Sequence, residues 1–277
     1  MRVRHVLVTA GVLATTAALT AGCGDFSDFG SYQRDCTITV GEQSVNLDEE
    51  QAANAATVTA VGLRRGISDR GLVVALATAW QESKLHNIDY GDRDSLGLFQ
   101  QRPSQGWGTE EQIMDPRYAA EVFYDHLERV PGWEDMRVTD AAQAVQRSAY
   151  PEEYEQWADD SQIMVSAYTG SADGALSCRA VEDGETRSAT VAALSQSLRH
   201  DWGEDTIYTE DGAKLSVPVN TPQDGWRYAA WLVAHSHGHG VTTVEYDGTT
   251  WRAEAGKWAA SESESKDPHR VIATVTG

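Results

Sequence analysis

Positive charge is scarce in this chain. Lysine and arginine number 22 against 42 aspartates and glutamates, a formal net charge of −20 over 277 residues. A field of that sign repels phosphate backbones, which excludes nucleic-acid binding by overall charge, and it would not hold the chain on an anionic cell wall. Long apolar runs are equally few: beyond the first two dozen residues nothing approaches the roughly 20 apolar residues that cross a bilayer as a helix. There is no internal repeat and no long low-complexity run. Cysteine is limited to Cys23, Cys36 and Cys178, which leaves room for one disulfide at most.

The one long apolar run, residues 6–21, follows Arg2 and Arg4 and passes through small residues into Cys23. That order of charge, apolar core and small residues is the order of an export signal, so residues 1–22 are expected to be removed as a signal peptide. Thr20-Ala21-Gly22-Cys23 resembles the lipobox of bacterial lipoproteins, with Thr20 where an aliphatic residue is usual. The resemblance implies an acylated Cys23 and a lipid anchor on the extracytoplasmic face of the cell membrane. Residues 23–35 are rich in glycine, serine and acidic residues and suit a flexible tether. Loss of Arg2 and Arg4 takes the net charge from −20 to −22, and 255 of the 277 residues remain, enough for one large domain or two modest ones. With Cys23 lipidated, Cys36 and Cys178 are an even pair in an oxidising compartment and are expected to form a disulfide. The loop of about 140 residues would give it up to roughly 5 kcal/mol in the chain-entropy model.

Along the chain, Cys36 to Val45 reads as two strand-forming runs around Gly41, a small hairpin. Asp48 followed by Gln51 has the spacing of a capping box, and an alanine-rich helix is expected over 46–66, with Gly66 at its stop. A second helix starting near Ser68 or Asp69 is apolar on nearly every side through Trp80, as befits a helix in the middle of a domain. Its last turn delivers Gln81, Glu82 and Ser83. Further helices fit residues 116–129, 139–148 and 151–168, the first and third opening on proline. Residues 171–187 are polar, glycine-containing and acidic, and read as a linker between a helical domain at 36–170 and a smaller one at 188–277. The latter mixes helices at 188–200 and 223–235 with strands at 206–208, 215–219, 241–246, 250–251 and 271–275. Asp247-Gly248 between two of these is a hairpin turn.

The chemistry concentrates in Trp80-Gln81-Glu82-Ser83-Lys84-Leu85-His86-Asn87 and, after a loop, Gly91-Asp92-Arg93-Asp94-Ser95-Leu96-Gly97-Leu98-Phe99-Gln100-Gln101. Glu-Ser at the end of a buried helix, with Gly-Leu-Phe-Gln about fifteen residues on, resembles the signature of soluble lytic transglycosylases and goose-type lysozymes. The resemblance covers roughly residues 48–170. It implies a helical lysozyme-like fold and cleavage of peptidoglycan between N-acetylmuramic acid and N-acetylglucosamine, with Glu82 as general acid. A carboxyl beside Trp80 and Leu85 has its charged form disfavoured independently of any resemblance. By the same likeness, Asp92 or Asp94 would supply a second carboxylate, and Gln100 would line the groove floor. Ser83 would support the acid, and Tyr168, in Ser-Ala-Tyr-Thr-Gly, would bond to Glu82. Thr169 stands where the family often has asparagine. Gln101 and Trp107, in the Gly/Pro loop that follows, offer an amide and an aromatic face suited to sugar, though a packed tryptophan in a turn accounts for Trp107 as well.

His235-Ser236-His237-Gly238-His239 has alternating imidazoles that suggest a metal, but no carboxylate or thiol lies near in sequence, and a glycine-rich helix exit is the simpler account. His86 reads as structural. The tryptophans at 202, 226, 231, 251 and 258 are core candidates, with an exposed subset available to glycan. The serine- and glutamate-rich residues 261–267 form a solvated loop. The whole is thus an α+β chain, a mainly helical lysozyme-like domain followed by a small α+β domain, of a kind that suits an actinobacterial envelope. It is read as a lipoprotein that cuts peptidoglycan, with no metal, no organic cofactor and no nucleic-acid partner. Two other readings stand beside it: a glycan-binding or scaffold lipoprotein that does not cut, and a metal-binding lipoprotein using the histidine cluster.

Overall fold

The computed structural model describes residues 36–147, 152–179, 190–261 and 267–276. The export segment, Cys23 and the 23–35 tether lie outside the described residues, as do Ser148, Pro151 and most of the 261–267 run. Strand β1 (Cys36–Val40) turns at Gly41 into β2 (Gln43–Leu47), burying Cys36, Ile38, Val45 and Leu47 on one face. Asp48 then caps α1 (Glu49–Arg64), with the Asp48 carboxylate on the Gln51 amide and the Gln51 side chain back on the Asp48 amide, both at 2.9 Å. Helix α2 (Asp69–Ser83) is buried without interruption from Gly71 to Trp80. Against it pack α1, α4 (Pro116–Leu127), α5 (Val138–Gln146) and α6 (Ala158–Tyr168), with the short α3 (Glu110–Ile113) lying on α4. The helix expected from residue 151 begins only at Ala158, after a 3-10 turn at Glu155–Trp157. The delay has a local cause, because Tyr154 and Trp157 are both pinned to the end of α2.

The segment read as a linker is in part a strand. β3 (Leu176–Cys178) pairs antiparallel with β1 in the order β2-β1-β3, which sets Cys36 opposite Cys178, and the two are joined by the expected disulfide across 142 residues. Beyond it come α7 (Val191–Trp202), β4 (Thr209–Asp211), β5 (Lys214–Pro218), α8 (Pro222–Ala234), the single turn α9 (Ser236–His239), β6 (Val241–Tyr246), β7 (Thr249–Arg252), β8 (Lys257–Ala260) and β9 (Arg270–Val275). The six strands form one antiparallel sheet, ordered β4-β5-β9-β6-β7-β8. Asp247 and Gly248, at φ 46° and 71°, make the β6–β7 hairpin turn with both central residues left-handed. The strand expected at 206–208 is irregular chain, displaced in sequence to β4, and β8 was not anticipated. The fold class is α+β, as the sequence indicates.

Packing does not stop at the expected boundary. Helix α8 lies against α1, α6 and β6, and α7 lies against α1. The indole N–H of Trp251 donates to the Cys178 carbonyl at 3.1 Å, and that of Trp258 to the Leu176 carbonyl at 2.9 Å. The described residues from Cys36 onward share one compact unit and one hydrophobic core, so the expected division into two cores is not found among them. A fully buried Asp201 reinforces the seam: one carboxylate oxygen accepts from Thr57 and from the Trp231 indole, each at 2.8 Å, and the other lies 2.6 Å from the Arg117 guanidinium. These partners come from α1, α8 and α4, so a single charge on α7 holds three other helices.

Two predictions follow from this continuity. Replacing Cys36 and Cys178 together by serine should lower unfolding free energy by about 2–5 kcal/mol without changing the far-ultraviolet circular dichroism. Gly170, left-handed at φ 73°, sits where an added Cβ would fall 2.0 Å from the Gln223 carbonyl oxygen of α8. Gly170→Ala should therefore cost at least about 2 kcal/mol in urea unfolding, through backbone strain and displacement of α8. A cost near zero would mean that the two parts of the chain do not share a core.

Candidate active site

Two consecutive left-handed residues, Lys84 and Leu85 at φ 57° and 62°, end helix α2. Such backbone costs of the order of 1–2 kcal/mol per non-glycine residue, so something must hold it. Helix α1 does so. Gln51 donates its side-chain amide to the Lys84 carbonyl at 2.8 Å, and Asn54 donates to the Leu85 carbonyl at 2.7 Å. Glu50 accepts the Asn87 amide at 2.9 Å, and the Asp48 carboxylate meets the His86 ring at 2.8 Å, raising the pKa of His86 through that hydrogen bond. His86 is thus structural, and the reversal leaves Leu85 in the core and Glu82 and Ser83 at the helix mouth.

Ser83 joins the two motifs. Its hydroxyl oxygen is 2.8 Å from the Leu98 carbonyl and 3.1 Å from that of Ala79, sharing one proton between loop and helix. Leu98 and Phe99 are fully buried, and Phe99 stacks on Phe123 at 4.6 Å, so the Gly-Leu-Phe-Gln stretch is sewn into the core rather than laid over it. The loop closes where Leu96 and Gln101 exchange backbone hydrogen bonds. Gln100, half-buried, donates to the carbonyls of Gly97 and Tyr90 at 3.2 and 3.3 Å, bracing the loop.

Glu82 itself is half-buried. Its Oε1 accepts a 2.6 Å hydrogen bond from the hydroxyl of Tyr154, a fully buried residue that the sequence reading passed over. Burial raises the pKa of the Glu82 carboxyl, and the hydrogen bonds from Tyr154 and Gln146 offset part of that rise by steadying the charged form. Gln146 also donates to the Phe99 carbonyl at 2.7 Å, so one amide spans the acid and the loop. Beside them Trp80 stacks on Trp157 at 5.4 Å, and the Trp157 indole donates to Gln81 at 2.7 Å. No sequence signal marks Tyr154, because it arrives from 72 positions away and lies within what looks like ordinary helix.

Several other expected site residues are employed elsewhere. Tyr168 donates to the Ala52 carbonyl at 3.0 Å and is buried between α6 and α1, so it does not bond Glu82. Gln101 is 1% exposed and donates to the Ala119 carbonyl at 3.0 Å, which makes it a bolt onto α4 instead of a groove residue. Trp107 stacks on His126 at 4.2 Å, half-buried against α4, in line with the packed-turn account. The two carboxylates of the loop differ: Asp94 accepts from the Arg102 side chain at 2.7 Å and from the Ser104 amide at 2.8 Å, while Asp92 stands in solvent. Ser104 and Arg102 hold the Asp94 carboxyl well below the usual range.

The three histidines of the 235–239 run face different partners. His235 stacks on Trp231 at 4.0 Å with its Nδ1 on the Trp231 carbonyl, and burial depresses its pKa. His237 lies 2.6 Å from Glu49, and burial lowers the pKa of His239 to about 4. Among the described residues no group of three or more histidines, cysteines and carboxylates is placed to share a metal ion.

Because the folded state holds the Glu82 proton more tightly than the unfolded chain, ionising Glu82 costs stability as pH rises above its ordinary value of 4.5. Glu82→Gln should therefore stabilise the fold at pH 7 and do so less at pH 4, measured by urea unfolding. Tyr154→Phe should raise the Glu82 pKa further in a carbon-13 NMR titration. A gain independent of pH, or a pKa lowered by Tyr154→Phe, would refute the desolvated carboxyl.

No family model and no curated protein matches the chain.

Proposed function

We propose that this chain cleaves the glycan strands of peptidoglycan, with Glu82 as the general acid, from a lipid anchor at Cys23. The observation that carries the reading is the Ser83 hydroxyl at 2.8 Å from the Leu98 carbonyl, which brings the Glu-Ser and Gly-Leu-Phe-Gln pieces of the resemblance together beside a carboxyl of raised pKa. A general acid needs a pKa displaced toward the working pH and a fixed direction. Burial contributes the first, and the Tyr154 hydroxyl the second.

In this reading Glu82 protonates the oxygen that bridges N-acetylmuramic acid to N-acetylglucosamine as that bond breaks and positive charge develops on the muramyl ring. The Tyr154 hydroxyl then steadies the carboxylate left behind. The bare carboxylate accepts the proton of the muramic acid's own hydroxyl as that oxygen closes on the anomeric carbon, giving an anhydro end and restoring the acid. Ring closure is favoured over attack by water because Asp94 is occupied by Arg102 and Ser104, so it is poorly disposed to activate a water. Asp92 is the carboxylate left for hydrolysis, which makes Asp92→Asn the discriminating variant.

Incubated with purified sacculi, the wild-type protein should release fragments with anhydro ends by mass spectrometry. Glu82→Gln should lose a factor of about 10²–10⁴ in rate, and Asp92→Asn should retain most of it. Reducing ends that disappear in Asp92→Asn would make the protein a hydrolase. Binding of sacculi without release by the wild type would make it a glycan-holding module.

A further inference from the structure

Lys84 stands two residues beyond Glu82, on the reversal that ends α2. Lysine and arginine are outnumbered 22 to 42 by carboxylates, yet among the described residues no carboxylate lies within ion-pair distance of the Lys84 ammonium. The ammonium instead sits 4.1 Å from the centroid of the Trp157 ring, on an exposed residue. Neither half of that pair is loose. Lys84 has its backbone fixed in the left-handed region by Gln51, and Trp157 is held by Trp80 and by Gln81.

What distinguishes Lys84 is its position. Tyr154, just ahead of the short turn Glu155–Trp157, grips Glu82, and Trp157 at the end of that turn carries Lys84. From these placements we infer that Lys84, poised on Trp157, is the group that recognises a carboxylate on the saccharide at the Glu82 site. Substrate binding would thereby select acidic over neutral sugars. A partly desolvated ammonium, as the lowered pKa of Lys84 indicates, gains more from an incoming anion than a fully hydrated one. The inference rests on the glycan reading above. The carboxylate has two sources in such strands, the acidic sugar itself or a peptide attached to it.

Binding to the full-length Glu82→Gln protein, which does not require turnover, provides the test. Three probes are used: a peptide-free muramic-acid-containing tetrasaccharide, its carboxyl methylamide, and the same saccharide bearing its peptide. The carboxylate form should bind about tenfold more tightly than the methylamide. Lys84→Met should abolish that difference, and Lys84→Arg should restore it. Preference for the peptide-bearing form over the methylamide, lost in Lys84→Met, would assign the carboxylate to the peptide. Equal affinity for all three, no affinity for any, or a preference that survives Lys84→Met would overturn the inference. Failure of the Glu82 reading is seen separately, as a wild-type protein that binds and never cuts.

Discussion

Helix α2 is buried along almost its whole length, and this one constraint sets the direction of everything at its end. A helix with no solvent face cannot rotate to relieve its last turn. The chain must therefore leave α2 through a reversal whose carbonyls need partners inside the protein. Gln51 and Asn54 supply them from α1, three residues apart and hence on one helical face. The capping box that starts α1 consequently has a second effect. By fixing the first turn of α1, Asp48 and Gln51 also fix the point where α2 ends and Glu82 emerges. Strain at Lys84 and Leu85 and the orientation of the acid are two aspects of the same local geometry.

The carboxyl-terminal helices bear on the same core through a different kind of contact. Asp201 is a charge without solvent, and burying an ion costs several kcal/mol unless its partners are well placed. Here the partners belong to α1, α4 and α8, so the charge is stable only when all three helices are in position. Apolar packing of α8 on α1 would tolerate sliding, whereas a carboxylate with fixed donors does not. This explains why a stretch that looks like a linker joins parts that cannot move independently. The β3 strand and the Cys36–Cys178 bond close the same seam from the opposite side of the sequence.

What could be read from the sequence follows the range of the forces involved. The Asp48 cap, the α2 core helix, the Asp247-Gly248 turn and the run 241–246 are all specified by neighbours within a few residues, and the structure has them where the pattern puts them. The motif Gly-Leu-Phe-Gln drew attention as a candidate site, but its Leu and Phe serve the core, and the following Gln101 fastens α4. Tyr168 and Tyr154 illustrate the limit. Both are buried tyrosines near a helix in the same segment, and only tertiary packing decides which hydroxyl reaches Ala52 and which reaches Glu82. The strand β8 was similarly silent because Lys257 to Ala260 is largely exposed and lacks strict alternation.

A carboxyl with a raised pKa is chemically useful only if its surroundings stay fixed when a ligand arrives, since a mobile wall would let water in and return the group to its ordinary acidity. Around Glu82 the fixed points are redundant. Ser83 and Gln146 each tie the loop to a different helix, and Tyr154 and Trp157 tie one short segment to two successive residues in the last turn of α2. Loss of any one leaves the others in place. The acid is therefore held by the core itself, while Tyr90, Asp92 and Arg93 of the loop stand in solvent and take no part in holding it.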